Sequence, residues 1–247
     1  MIRASALLVA AALAGAVTPV FGASTCESLM DLKLKNTSIT AAASIAAGAF
    51  TSPLPAAKGK QPPSYKNVPA FCRVSATLRP SNDSEIKIEV WLPERSWNGN
   101  LQAVGNGAWA GTIGYTAMAT ALEAGYASAS TDTGHTGGDP ATFIPGHPEK
   151  LVDFAYRSVH EMTVAAKAII VARYGNGPKY SYWNGCSTGG HQALAEAQRY
   201  AEDYDGIIAG AAAINTTHLQ GAQVWSAQVV HRDEASYIPP AKYAVLH

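Results

Sequence analysis

Tyr182-Trp183-Asn184-Gly185-Cys186-Ser187-Thr188-Gly189-Gly190 follows a strand-like stretch and precedes an Ala-rich, helix-like one. Glycines on either side of a serine at a strand-to-helix junction allow the sharp, strained turn of a nucleophile elbow, which lifts the hydroxyl above the sheet in front of a helix N-terminus. Working outward, the sequence alternates. Residues 73–78 and 85–92 show period-two alternation and predict two antiparallel strands joined by Pro80 to Ser84. A short buried strand, 101–104, runs into the glycine-rich stretch from Gly105 to Gly111. A helix is expected around 117–124, a small-residue strand at 126–130, and a polar loop from Thr131 to His135. The strongest helical pattern covers 153–173, ended by Gly175 and Gly177. Strand 179–183, the elbow, helix 190–200 and strand 206–209 follow. From Asn215 the chain reads as a more polar stretch, with a last helix start at 242–247. Strands alternating with helices predict an α/β fold with a mostly parallel sheet and helices on both faces. Ligands then gather at the carboxyl ends of its strands, where both Ser187 and the Gly105 loop lie.

Residues 1–23 have a short basic head and an apolar run too short to span a membrane, and they read as a signal peptide. A buried Ala-rich helix is the alternative, disfavoured because the segment has no polar face. Processing would leave about 225 residues, enough for one large domain with a real core. The chain carries 18 basic and 18 acidic side chains, with no cluster suited to a phosphate backbone, so a nucleic-acid partner is not expected. Nor is a membrane partner, because no later apolar run is long enough to span one. A secreted or periplasmic location follows. Three cysteines make an odd count for an exported chain. Cys26 and Cys72 flank a Pro/Gly/Ala-rich stretch and can close it as a loop. Cys186 is then left over, and one reading of the residues alone makes it a small buried hydrophobe.

Ser187 is the candidate catalytic nucleophile. The backbone N–H of Thr188 is one candidate oxyanion donor, and a second is expected near Gly107, where a missing side chain permits close approach. A rival reads 105–110 as a dinucleotide fingerprint with Glu123 as the ribose ligand, but export and the bulk of Trp109 speak against it. Asp132 and His135 share a loop and read as structural or pocket-lining residues. His191, in the helix after the elbow, reads as a surface or packing residue pointing away from Ser187. His218, His231 and His247 follow the serine without a well-placed acid, so no in-chain triad is expected. No spacing suggests a metal site, and no cofactor is expected in this chain. Asn36, Asn82 and Asn215 match glycosylation acceptors.

Leu101 to Gly111, Ser130 to His135, Asp153 to His160, Trp183 to Gln192, Glu196 to Tyr200 and Asp205 to Gly210 together resemble the tannase and feruloyl esterase family of serine esterases, which includes mono(hydroxyethyl) terephthalate hydrolases. The resemblance implies an α/β-hydrolase fold acting on aromatic esters of the hydroxycinnamoyl or galloyl type through an acyl-enzyme. It implies a lid inserted after the sixth strand that usually carries calcium, a Cys26–Cys72 disulfide, and a partner for Cys186 beside the catalytic histidine. His191 and Ala201 stand where many members have arginine and proline. On this reading 24–214 form the N-terminal part of the catalytic domain and 215–247 begin the lid. The lid, the last strands, the triad acid and the histidine are expected beyond position 247, leaving this chain alone inactive. The rival from another class is a non-catalytic remnant that binds phenolic ligands.

Overall fold

The structure is a computed structural model that describes residues 24–55, 59, 61–109, 111–137 and 142–243. The expected signal peptide, 1–23, and His247 lie outside the described residues.

Seven strands form one sheet: β1 (Thr37–Ile45), β2 (Phe71–Leu78), β3 (Ile86–Pro93), β4 (Asn100–Val104), β5 (Ala127–Thr131), β6 (Tyr180–Cys186) and β7 (Gly206–Gly210). Their spatial order is β1-β2-β3-β5-β4-β6-β7. The β1–β2, β2–β3 and β3–β5 pairs are antiparallel, and β5–β4, β4–β6 and β6–β7 are parallel. The antiparallel half is larger than the two-strand hairpin expected, because β1 adds to it. Its sequence, TSITAAASI, is dominated by small residues and lacks the apolar alternation that marks a half-buried strand.

Helices cover both faces: α1 (Tyr115–Glu123), α2 (Pro148–Val152), α3 (Ser158–Tyr174), α4 (Thr188–Arg199) and α5 (Thr216–Val230). Successive strand residues point to opposite faces, which divides the core in two. On one side Val90, Ala103 and Trp183 meet Val159, Met162, Ala166 and Ile169 of α3. On the other, Trp91 and Val104 meet Met118 and Leu122 of α1, with Phe50, Tyr65 and Phe71 packed beside them, Phe50 edge-on to Tyr65, Phe71 and Trp91. Two expectations need correction. The helix expected over 153–173 is interrupted, since Asp153–Arg157 forms a π-helical turn between α2 and α3. The polar stretch after Asn215 contains a fifteen-residue helix, α5, none of whose residues is buried; with no apolar stripe, it offers the 3.6-residue period little to register.

Cys26 and Cys72 form a disulfide closing a separation of 46 residues. Closing a loop of that length restricts the unfolded chain by about 4 kcal/mol in the chain-entropy account. Cys186 carries no disulfide and is exposed, which rules out the buried-hydrophobe reading.

Candidate active site

Ser187 joins β6 to α4 with φ 60° and ψ −117°. A positive φ at a non-glycine residue costs on the order of 1–3 kcal/mol and persists only where its surroundings over-determine it. They do so here. The Ser187 N–H donates to the Gly210 carbonyl at 3.0 Å, and the Ser187 carbonyl accepts from the N–H groups of His191 at 3.0 Å and Ala213 at 3.2 Å. A Cβ on Gly185 would strike the Gly189 backbone, so the turn closes only with glycine there. The Ser187 side chain is exposed.

The glycine-rich stretch after β4 is fastened to the first turn of α4. Gly189 N–H donates to the Asn106 carbonyl at 2.8 Å. Asn106 N–H donates to Gln192 Oε1 at 3.1 Å, and Gln192 Nε2 donates back to Asn106 Oδ1 at 3.0 Å. Asn106 Nδ2 also reaches the carbonyls of Thr112 at 2.7 Å and Thr131 at 2.9 Å. One residue past Gly107, the Ala108 carbonyl accepts from Thr188 Oγ1 at 2.7 Å. Gly107 is thus bracketed by two residues bonded to α4, and Ala108, rather than Gly107, lines the adjoining cavity. Neither the Thr188 nor the Gly107 N–H meets an acceptor among the described residues. Sequence reasoning missed Asn106 and Gln192, since an amide in a glycine loop and another on a helix carry no signal that they face each other.

The cavity measures about 460 Å³ and is bounded on one side by Trp109, Phe154, Ser187 and Thr188, and on the other by Thr216, Leu219 and Gln223. The Trp109 and Phe154 rings stack at 5.1 Å, tilted by 16°. His191 also lines this cavity, correcting the expectation that it points away. It lies four residues after Ser187 and therefore shares its helix face. Its Nδ1 sits 3.1 Å from the Ala213 carbonyl, so that nitrogen carries the proton.

Asp132 and His135 do not pair. Asp132 Oδ1 accepts from the N–H groups of Lys87 and Gly134, each at 2.9 Å, and burial pushes its carboxyl up to about 6. His135 Nε2 donates to the Trp109 carbonyl at 2.6 Å; burial lowers its pKa, which favours the neutral ring. Both are scaffold residues around the Trp109 loop. Two histidines pair with a carboxylate among the described residues, His147 with Asp83 and His160 with Asp203. Neither lines the cavity. Asp203 follows the far end of α4, about 18 Å along the helix from Ser187. His218 and His231 are exposed, His231 beside Tyr237. Among the described residues no three His, Cys, Asp or Glu side chains converge as a metal site. No described helix is long and apolar enough to cross a membrane.

Comparison with known proteins bears on this arrangement. A family model described as tannase and feruloyl esterase matches residues 72–247. An uncharacterized esterase of Xanthomonas campestris pv. campestris is 38% identical over 234 residues, covering 94% of this chain and 39% of that protein. Feruloyl esterase B of Aspergillus niger is 41% identical over 179 residues, covering 72% of this chain and 34% of that protein. The crystal structure of feruloyl esterase B from Aspergillus oryzae superposes with a TM-score of 0.72 at 33% identity, covering 83% of this chain and 39% of that one. The chain therefore spans between 34% and 39% of the length of these relatives.

Proposed function

The chain belongs to the tannase and feruloyl esterase family, and from that premise we propose that it carries the nucleophile and the oxyanion site of a hydrolase for small aromatic carboxylic esters. The observation that carries this reading is Ser187 itself, an exposed serine held at positive φ at a helix N-terminus, on the rim of a cavity walled by Trp109 and Phe154. Ser187 Oγ attacks the ester carbonyl and gives up its proton, which ends on the departing alkoxide, while the N–H groups of Thr188 and Gly107 hold the oxygen that becomes negative. The alcohol departs, and water releases the acid from the acyl-enzyme. The names of the relatives support a hydroxycinnamoyl-like acyl group, and the Cys26–Cys72 disulfide suits an exported protein.

No histidine paired with an acid lines the cavity among the described residues. The 247-residue chain by itself is therefore read as a poor catalyst whose acyl-enzyme, once formed, is hydrolysed slowly. The aromatic wall without such a pair also favours a second reading, a module that binds phenolic acids without chemistry. One experiment separates the two. The chain is incubated with the 4-nitrophenyl ester of ferulic acid and analysed by intact mass and peptide mapping. One feruloyl group on the peptide bearing Ser187, absent from Ser187→Ala, is the expected result. Acylation elsewhere sinks the assignment, and saturable binding with no acylation puts the module reading in its place.

A further inference from the structure

The polypeptide between α2 and α3 widens by one residue. Ser158 N–H bonds to the Asp153 carbonyl, a five-residue step in place of four. The buried face of α3 runs through Val159, Met162, Ala166 and Ile170. Continued backward at α-helical spacing it would reach Ala155. Each extra residue turns what precedes it by about 100°, and the wide turn instead brings Asp153 to a fully buried position and leaves Phe154 on the cavity edge. Single π-helical turns are rare and are frequently found at functional sites.

A charged network holds this turn. Asp153 Oδ1 accepts from Arg157 Nε at 2.6 Å and from Ser84 Oγ at 3.2 Å. Arg157 reaches back across the turn to Glu149 Oε2 at 2.7 Å and to the Glu149 carbonyl at 3.0 Å. The outcome is an aromatic cluster drawn from three separate segments, in which Trp109 and Phe154 line the cavity. Trp109 from the β4 loop lies parallel to Phe154, with Phe143 and His135 stacked at 3.8 Å behind them. Phe143 and His135 stand 5.6 and 5.7 Å from the Phe154 ring.

We propose that Phe154, set on the cavity edge by the π-helical turn, is the residue that selects an aryl over an alkyl acyl group. Trp109 supplies the rest of the same wall. Ring against ring adds a preference beyond the area buried, so the wall is worth about 3- to 10-fold in affinity for an aryl acid. That the selected group is the acyl part of an ester rests on the function proposed above; the aromatic selectivity of the cavity does not.

The test is titration of the full 247-residue chain with ferulate and with hexanoate, followed by heteronuclear NMR or calorimetry, for wild type, Phe154→Leu, Trp109→Leu and Ser187→Ala. Leucine keeps an apolar side chain without the ring. Phe154→Leu is expected to weaken ferulate about 3- to 10-fold while hexanoate shifts less than about twofold, with a cooperative thermal transition retained at a lower midpoint. Trp109→Leu removes the same wall from the loop side, so if one variant unfolds the other decides. Equal losses for both acids, no loss for ferulate, or no binding of ferulate by wild type overturns the proposal. Ser187→Ala keeps it apart from the hydrolase reading. Acylation by the 4-nitrophenyl ester of ferulic acid, with release of 4-nitrophenolate, that persists in Ser187→Ala removes the nucleophile assignment and leaves the aromatic wall standing. Ser187-dependent acylation with unchanged selectivity in Phe154→Leu does the opposite.

Discussion

The two walls of the cavity are held in different ways. On one side, the elbow, the first turn of α4 and the Gly105–Gly111 loop are joined by bonds among groups that are mostly buried, with Gln192 only 1% exposed. On the other, α5 contributes Thr216, Leu219 and Gln223 to the cavity but buries none of its fifteen residues. Val224 and Trp225 remain 58% and 65% exposed. Groups that attack or hold charge must be fixed within about half an ångström, and a strained φ at Ser187 survives only where packing offsets it. Residues that merely bound the cavity need no such precision. Segments with few buried contacts open at low free energy, so the α5 wall is the one free to move.

Gly185→Ala should break the tight wall most severely. The added Cβ meets Gly189 backbone, which no rotamer can relieve, and a loss of about 4 kcal/mol or more in denaturant unfolding is expected. Next, Asn106→Ala leaves the Gln192 amide and the Thr112 and Thr131 carbonyls without their partner. A loss of about 2–3 kcal/mol is expected from the same measurement. A value near zero would mean that the loop is not held by this pair.

Acidity offers a third handle, at the far end of α4. Glu196 is fully buried, and neither of its carboxyl oxygens finds a donor. Burial first, then the Asp203 carboxylate and more distantly Glu202, push its pKa up to about 8. Asp203 faces His160, and its carbonyl accepts from Lys167 Nζ, while Tyr204 closes the cluster against Thr163. The neutral acid is accordingly the favoured form of Glu196 at neutral pH. Folded, it holds its proton more tightly than unfolded, so the stability it lends is fully present below the ordinary value of 4.5 and is lost as pH rises towards about 8. Wild type should lose up to about 5 kcal/mol across that window relative to Glu196→Gln, which cannot ionise. Parallel pH profiles for the two proteins would show that Glu196 does not titrate there. The smallest effect is expected in the loose wall: Trp225→Ser should change stability by less than about 0.5 kcal/mol, and α5 amides should exchange with solvent well before those of α4. A loss of 2 kcal/mol there, on the order of a core substitution, would erase the contrast between the walls.

Much of the scaffold was legible because its signals are local. The strand pair β2–β3, the strand β4, helices α1 and α4 and the elbow fall within a few residues of their expected places, since alternation, glycine placement and helix period act over neighbouring positions. β1 escaped notice because its small residues give no alternation, and its strand state comes from pairing with β2. The direction of His191 depends on the cap: Ser187 is the residue before the first turn of α4, its carbonyl accepts from the His191 N–H, and position 191 falls on the serine's own side.

The sequence by itself determined where the chain turns from strand to helix around Ser187, and that 105–111 would lie at the same edge of the sheet, because glycine spacing and hydrophobic period are encoded in adjacent residues. Tertiary structure alone decided that Asn106 locks onto Gln192, that a wide turn at Asp153 sends Phe154 to the cavity, and that Trp109 meets it there. Each joins residues 45 or more positions apart or depends on a buried network. No local propensity specifies such contacts, because their free energy appears only when the sheet brings the partners together.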